Sequence, residues 1–141
     1  MEIEYSLESL KAVADEIIKT TTRSNIILFN GNLGTGKTTL IKELVKTMGC
    51  DDTVSSPTYS LVNEYHSDSA SIYHFDLYRL EHEDELYDFG IEEYLDAPYW
   101  KFVEWPSLLK PLLRDGFYEI TIERVNNEKR KLQLQYISNN L

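Results

Sequence analysis

The sequence predicts an α/β fold: a mostly parallel central sheet with helices on both faces and a C-terminal antiparallel hairpin. Three observations predict it. Ile26 to Phe29 is an unbroken apolar run of the kind found in a strand covered on both faces. That run leads straight into Gly31, Asn32, Leu33, Gly34, Thr35, Gly36, Lys37 and Thr38, after which Leu40, Ile41, Leu44, Val45 and Met48 fall on one helical face. Near the carboxyl end, Tyr118, Ile120 and Ile122 alternate with Glu119, Thr121 and Glu123, and Leu132, Leu134 and Tyr136 alternate with Gln133 and Gln135 across a turn region at Asn126 and Asn127. Strand, glycine loop, helix is the order of a P-loop NTPase-like sandwich.

The remaining elements follow in order. Ser6 is placed to cap an opening helix whose apolar positions Leu7, Leu10, Ala14 and Ile17 keep a 3.6-residue period. The polar run from Thr20 to Asn25 ends it. Beyond Gly49 and a polar segment, Ser60 to Tyr65 and Ile72 to Asp76 read as strands. Glu83 to Leu95 is helical in pattern but interrupted at Gly90. Trp100 to Glu104 reads as a further strand, and Pro106, with Leu108, Leu109, Leu112 and Leu113 behind it, starts a short helix.

A chain of 141 residues, residues 1–141 with no internal boundary, suits a single domain. No apolar run approaches the roughly 18 residues that span a bilayer, and Met1, Glu2, Ile3, Glu4 lack the features of a secretory signal; no membrane association and a cytoplasmic location are expected. The lone Cys50 cannot form an internal disulfide and reads as a small hydrophobe. Charge is concentrated: from Asp76 to Glu104 ten acids face two bases, a local net of −8 in a chain of −10 overall. Such a stretch repels a nucleic-acid backbone and attracts a basic protein, although an ordinary solvated face has the same composition.

Gly31, four residues, then Gly36, Lys37 and Thr38 is the Walker A pattern. Its glycines permit the backbone angles that turn successive N–H groups onto an anion at a helix N-terminus. Lys37 supplies a cation to the β- and γ-phosphates, worth about 4 kcal/mol at 4 Å and an effective dielectric of 20, before desolvation is deducted. Thr38 can place its hydroxyl on Mg²⁺, and Thr39 can reach the α-phosphate. The guanine-reading Asn/Thr-Lys-x-Asp element does not occur, so ATP is the expected nucleotide.

Phosphoryl transfer also needs a carboxylate near the metal and a group that orients the attacking oxygen. Asp76 and Glu104 each end an apolar strand, where ligands of parallel sheets gather. Thr58 lies after the first-loop helix, where a switch-like loop senses γ-phosphate; a plain turn fits the pattern equally well. Arg79 reads as a surface ion pair more readily than as a charge-neutralising finger, and Trp105 either packs over the site or contacts core or partner. His66, His74 and His82 match no metal-ligand spacing and read as structural.

Taken in series, Gly31-Asn-Leu-Gly-Thr-Gly-Lys-Thr, Ser56-Pro-Thr-Tyr with Leu61-Val-Asn-Glu-Tyr, His74-Phe-Asp-Leu-Tyr-Arg-Leu and Glu104-Trp-Pro resemble the bacterial TsaE proteins over nearly the whole chain. The resemblance implies a Mg²⁺-dependent ATPase, feeble alone, that assists TsaB and TsaD in forming threonylcarbamoyladenosine on tRNA, with tRNA touched only through the complex. It implies that Lys37 and the loop from Gly31 to Thr39 bind phosphates and that Thr38 and Glu104 hold Mg²⁺. Asp76 then acts near metal and attacking water, Thr58 belongs to the switch-like loop, and Trp105 neighbours the site. The family loop usually reads Gly-Asp-Leu-Gly-Ala-Gly-Lys-Thr; Asn32 and Thr35 depart from it. A small-molecule kinase and a nucleotide-gated binding module are the competing readings of the same cradle, though the arginine cluster of a kinase lid is missing.

Overall fold

The structure, a computed structural model, describes residues 1–50 and 61–138. Strands β1 (Glu2–Ser6), β2 (Ile26–Asn30), β3 (Val62–His66), β4 (Ser71–Asp76), β5 (Trp100–Glu104), β6 (Phe117–Arg124) and β7 (Lys129–Ile137) join in one sheet, ordered β1-β7-β6-β2-β5-β4-β3. The helices are α1 (Leu10–Thr20), α2 (Lys37–Thr47), α3 (Asp84–Asp88) and α4 (Ile91–Asp96).

The parallel sheet expected from the sequence is confined to the centre. There β4, β5, β2 and β6 pair in parallel, whereas β3 on β4, β7 on β6 and β1 on β7 are antiparallel. The sheet is therefore mixed, with hairpins at both margins. Strand β1 is not among the sequence expectations, which start the chain with a helix from Ser6. Ile3 and Tyr5 turn inward while Glu2 and Glu4 face Lys131 and Lys129, so a half-buried strand forms first. Helix α1 starts only at Leu10, after a 3₁₀ turn at Leu7–Ser9 where the Ser9 hydroxyl accepts the Ser6 N–H, and Leu7 is left 76 % exposed.

Alternate residues of the central strands feed two separate cores. Ile27, Phe29, Ile72 and Phe102 pack under α1 and α2 with Val13, Ile17, Leu40 and Leu44. Leu28, Phe75 and Val103 face the other way, onto Leu86, Ile91, Leu109 and Leu113. Helices thus cover both faces, as the apolar run from Ile26 to Phe29 requires. The second layer is thinner. Gly90, at φ 83°, divides α3 from α4, and Pro111 limits the segment after Pro106 to two 3₁₀ turns because it lacks the N–H an α-helix would use. At the carboxyl end the Asn126 side chain accepts the N–H groups of Glu128 and Lys129 and closes the β6–β7 hairpin.

Phe29 is fully buried and meets Phe102 edge-on at 5.9 Å between ring centres. Phe29→Ala lowers unfolding free energy by about 3–5 kcal/mol, whereas Leu7→Ala changes it by less than about 0.5 kcal/mol. Urea denaturation of the two variants checks this; equal losses contradict the assignment of Leu7 to the surface.

Candidate functional site

The C-terminal ends of β2, β4 and β5 lie side by side, with Asp76 opposite Glu104 in the β4–β5 register. Period two then decides which side chains meet. Ile72, His74 and Asp76 share one face of β4, and Phe102 and Glu104 share the same face of β5, the face covered by α1 and α2. The glycine loop leaves β2 and delivers the first turn of α2 to that spot.

Gly36, at φ 97°, turns the chain into α2. Gly31 is needed for a different reason: a Cβ there would stand 2.6 Å from the Thr35 hydroxyl oxygen and 2.8 Å from the Ile122 carbonyl. The Thr35 hydroxyl donates to the Asn32 carbonyl at 2.9 Å and so braces the loop. From outside, Arg130 Nε donates to the Thr35 carbonyl at 3.0 Å and ties β7 to the loop. Leu33 is exposed at the tip.

Lys37 is buried at the start of α2. Its ammonium donates to the Gly31 carbonyl at 2.6 Å and lies 3.3 Å from the centre of the Trp105 ring. Trp105 holds φ 56°, the only positive value outside glycine among the described residues, and its ring also meets Tyr78 at 4.9 Å. Burial lowers the Lys37 ammonium from its ordinary pKa, and the negative fields of Glu104 and Asp76 oppose that shift.

Glu104 is 3 % exposed. A carboxylate removed from water needs donors, and it has two. Thr38 Oγ1 lies 2.9 and 3.1 Å from its two oxygens, and His74 Nε2 lies 2.7 Å from Oε2. Asp76 is half-buried, with Oδ1 accepting the Tyr78 N–H at 3.1 Å. Burial raises its pKa, with Glu104 adding to the rise; the Tyr78 N–H, His74 and Lys37 act against it.

Lys37, Thr38, Asp76 and Glu104 are therefore brought together as the sequence suggests, with Gly31 to Gly36 beside them. Thr39 is exposed one position further along α2. Thr58 lies outside the described residues. Arg79 is exposed on the turn after β4. His74, read from its spacing as structural, is buried in direct contact with Glu104, a contact the spacing does not reveal. Its signal lies in the alternation of His74 with Asp76 along one strand face. Arg130 escapes a sequence reading altogether, because nothing local links β7 to the loop.

A cavity of about 620 Å³ opens beside the loop, lined by Leu10, Gly34, Thr35, Gly36, Thr39 and Arg130 among others. A larger one, about 860 Å³, sits at the opposite end of the strands among Ile26, Leu95, Leu113 and Phe117. None of the predicted site residues lines the larger one, so chemistry rather than size marks the site. Among the described residues no three His, Cys, Asp or Glu side chains form a metal cage, and no helix is long and apolar enough to cross a membrane. One hydroxyl and one or two carboxylates suit a hard cation that keeps other oxygen ligands, as Mg²⁺ does with phosphates.

Against known proteins, the family model described as threonylcarbamoyl adenosine biosynthesis protein TsaE matches residues 5–132. The chain belongs to the TsaE family. Relatives named tRNA threonylcarbamoyladenosine biosynthesis protein TsaE include one from Haemophilus influenzae, 42 % identical over 80 % of this chain and 72 % of its own. Another, from Rickettsia conorii, is 36 % identical over 89 % of this chain and 71 % of its own. The fold of this TsaE chain is similar to the crystal structure of Bacillus subtilis YdiB, with a TM-score of 0.70 at 22 % identity, covering 99 % of this chain and 87 % of that one.

A raised Asp76 pKa means the folded protein binds that proton more tightly than the unfolded chain does. Stability therefore falls as pH rises from the ordinary aspartate value of 3.8 through the raised folded value. Asp76→Asn keeps an acceptor for the Tyr78 N–H and removes the ionisation. It raises Tm above wild type at pH 7, and the gain shrinks as pH falls toward 3.8. Thermal melts across that range check it; equal Tm values at pH 7 contradict it.

Proposed function

We propose that this chain is a Mg²⁺-dependent ATPase of tRNA threonylcarbamoyladenosine biosynthesis, acting on a TsaB–TsaD complex rather than on tRNA directly. The observation that carries the reading is the pairing of Thr38 with Glu104 beneath the glycine loop, next to the Lys37 ammonium. These are the groups that a nucleoside triphosphate and its metal require, and they come from two stretches of the chain, Gly31 to Thr38 and the end of β5.

In this reading the β- and γ-phosphates lie against the N-terminal turn of α2, where N–H groups have no helical partners and the helix dipole favours negative charge. Lys37 leaves the Gly31 carbonyl and the Trp105 ring for the phosphates. The nucleoside end extends into the cavity bounded by Leu10, Thr39 and Arg130. Thr38 and Glu104 hold Mg²⁺, which when bound neutralises charge on the phosphate oxygens. Asp76, raised in pKa yet open to solvent, orients the attacking water. Glu81, Glu83, Asp84, Asp88, Glu92, Glu93 and Asp96 are exposed around α3 and α4 and offer an acidic face to a more basic partner. Partner binding completes the electrostatics of the site, so that hydrolysis resets the complex.

Lys37→Ala weakens ATP binding by about 10- to 100-fold, the loss expected when a hydrogen bond to a charged group is removed. Calorimetric titration checks it, and equal affinity contradicts the cradle. ADP release by the purified chain is slow and rises when purified TsaB and TsaD are added. A rate that is high alone and unmoved by those proteins sinks the reading.

A further inference from the structure

We infer that His74 is a positioning residue for the metal site: its imidazole fixes the Glu104 carboxylate in the orientation that Thr38 and Mg²⁺ require. The inference rests on the reading of Glu104 as a metal-holding group.

His74 has no exposed surface, so its position is set by packing within the core rather than by solvent. Its Nε2 lies 2.7 Å from Glu104 Oε2, on the strand next door. Its Nδ1 is buried with no hydrogen-bond partner among the described residues, so the geometry suits a ring carrying its proton on Nε2 and giving it to the carboxylate. Thr38 approaches the same carboxylate from the helix, nearest Oε1. Two donors from different elements thus leave the carboxylate one orientation.

A freely rotating Glu104 would cost the site in two ways. The carboxylate would have to be ordered each time metal bound, and its lone pairs would compete for the Lys37 ammonium close by. A ring locked into the core orders it beforehand. Removal of such a partner typically weakens metal affinity by about 10- to 100-fold while leaving the remainder of the ligand's contacts in place. Nucleotide binding without metal depends on Lys37 and the loop, and the hydrogen bond of His74 goes to Glu104 rather than to either of them.

The test separates these contributions with a fluorescent N-methylanthraniloyl ATP analogue, titrated onto the full chain in EDTA and then across a magnesium series. His74→Phe keeps an aromatic ring and removes the N–H. It raises the magnesium concentration needed for half the tightening by about 10-fold or more, with affinity in EDTA within about twofold of wild type. His74→Gln places an amide N–H near the old Nε2 position and restores the midpoint to within about threefold. His74→Asn has the same chemistry but is too short to reach, so its midpoint shifts like that of the Phe variant. The Gln and Asn pair decides the matter even where a Phe variant fails to fold. Midpoints for Asn and Phe equal to wild type overturn the inference while leaving the magnesium reading intact. A wild-type affinity that ignores magnesium overturns both.

Discussion

A single carboxylate, Glu104, joins the parts of this site. It ends β5, accepts the Thr38 hydroxyl from the first turn of α2, and accepts the His74 ring from β4. Sheet, helix and loop are held in one relation by those contacts, inside a region almost closed to water. A buried carboxylate without donors would cost several kcal/mol, which makes the two hydrogen bonds a condition of the fold as well as of the site. The geometry follows from strand period: residues two apart share a face, so the packing of Ile72 and Phe102 into the core also sets where His74, Asp76 and Glu104 arrive.

Charge balance gives the cluster its second property. Burial lowers the Lys37 pKa and raises that of Asp76; the charges of Glu104 and Asp76 oppose the first shift, and the charge of Glu104 adds to the second. The Lys37 ammonium rests on a backbone carbonyl and an indole face. Those are weak partners for a buried cation compared with a polyphosphate. The left-handed backbone of Trp105 brings the indole to that place immediately after Glu104, so carboxylate and ring are presented by consecutive residues.

Much of this arrangement is legible in the amino-acid sequence. The apolar run from Ile26 to Phe29, the glycine loop and the apolar face of the following helix announce the central strand and the turn into α2, because each is a local pattern. Asp76 and Glu104 stand out by their place at strand ends. What the sequence hides depends on pairing between distant segments. Glu2–Ser6 forms a strand only because β7 is there to receive it, and Arg130 reaches Thr35 only after β7 has docked. Metal-ligand spacing along the chain says nothing useful about His74, whose partner lies across the sheet. The helix expected through Leu113 gives way to 3₁₀ turns for a local reason, Pro111, that the apolar spacing masks.

In the proposed function Lys37, Thr38 and Glu104 form one phosphate and metal site. A crystal structure with Mg²⁺ and a non-hydrolysable ATP analogue tests it most directly. The expected result is the Lys37 ammonium on the β- and γ-phosphates, away from the Gly31 carbonyl, with the metal held by the Thr38 hydroxyl and the Glu104 carboxylate. A nucleotide bound elsewhere, with the Lys37–Gly31 and Thr38–Glu104 hydrogen bonds unbroken, would contradict it.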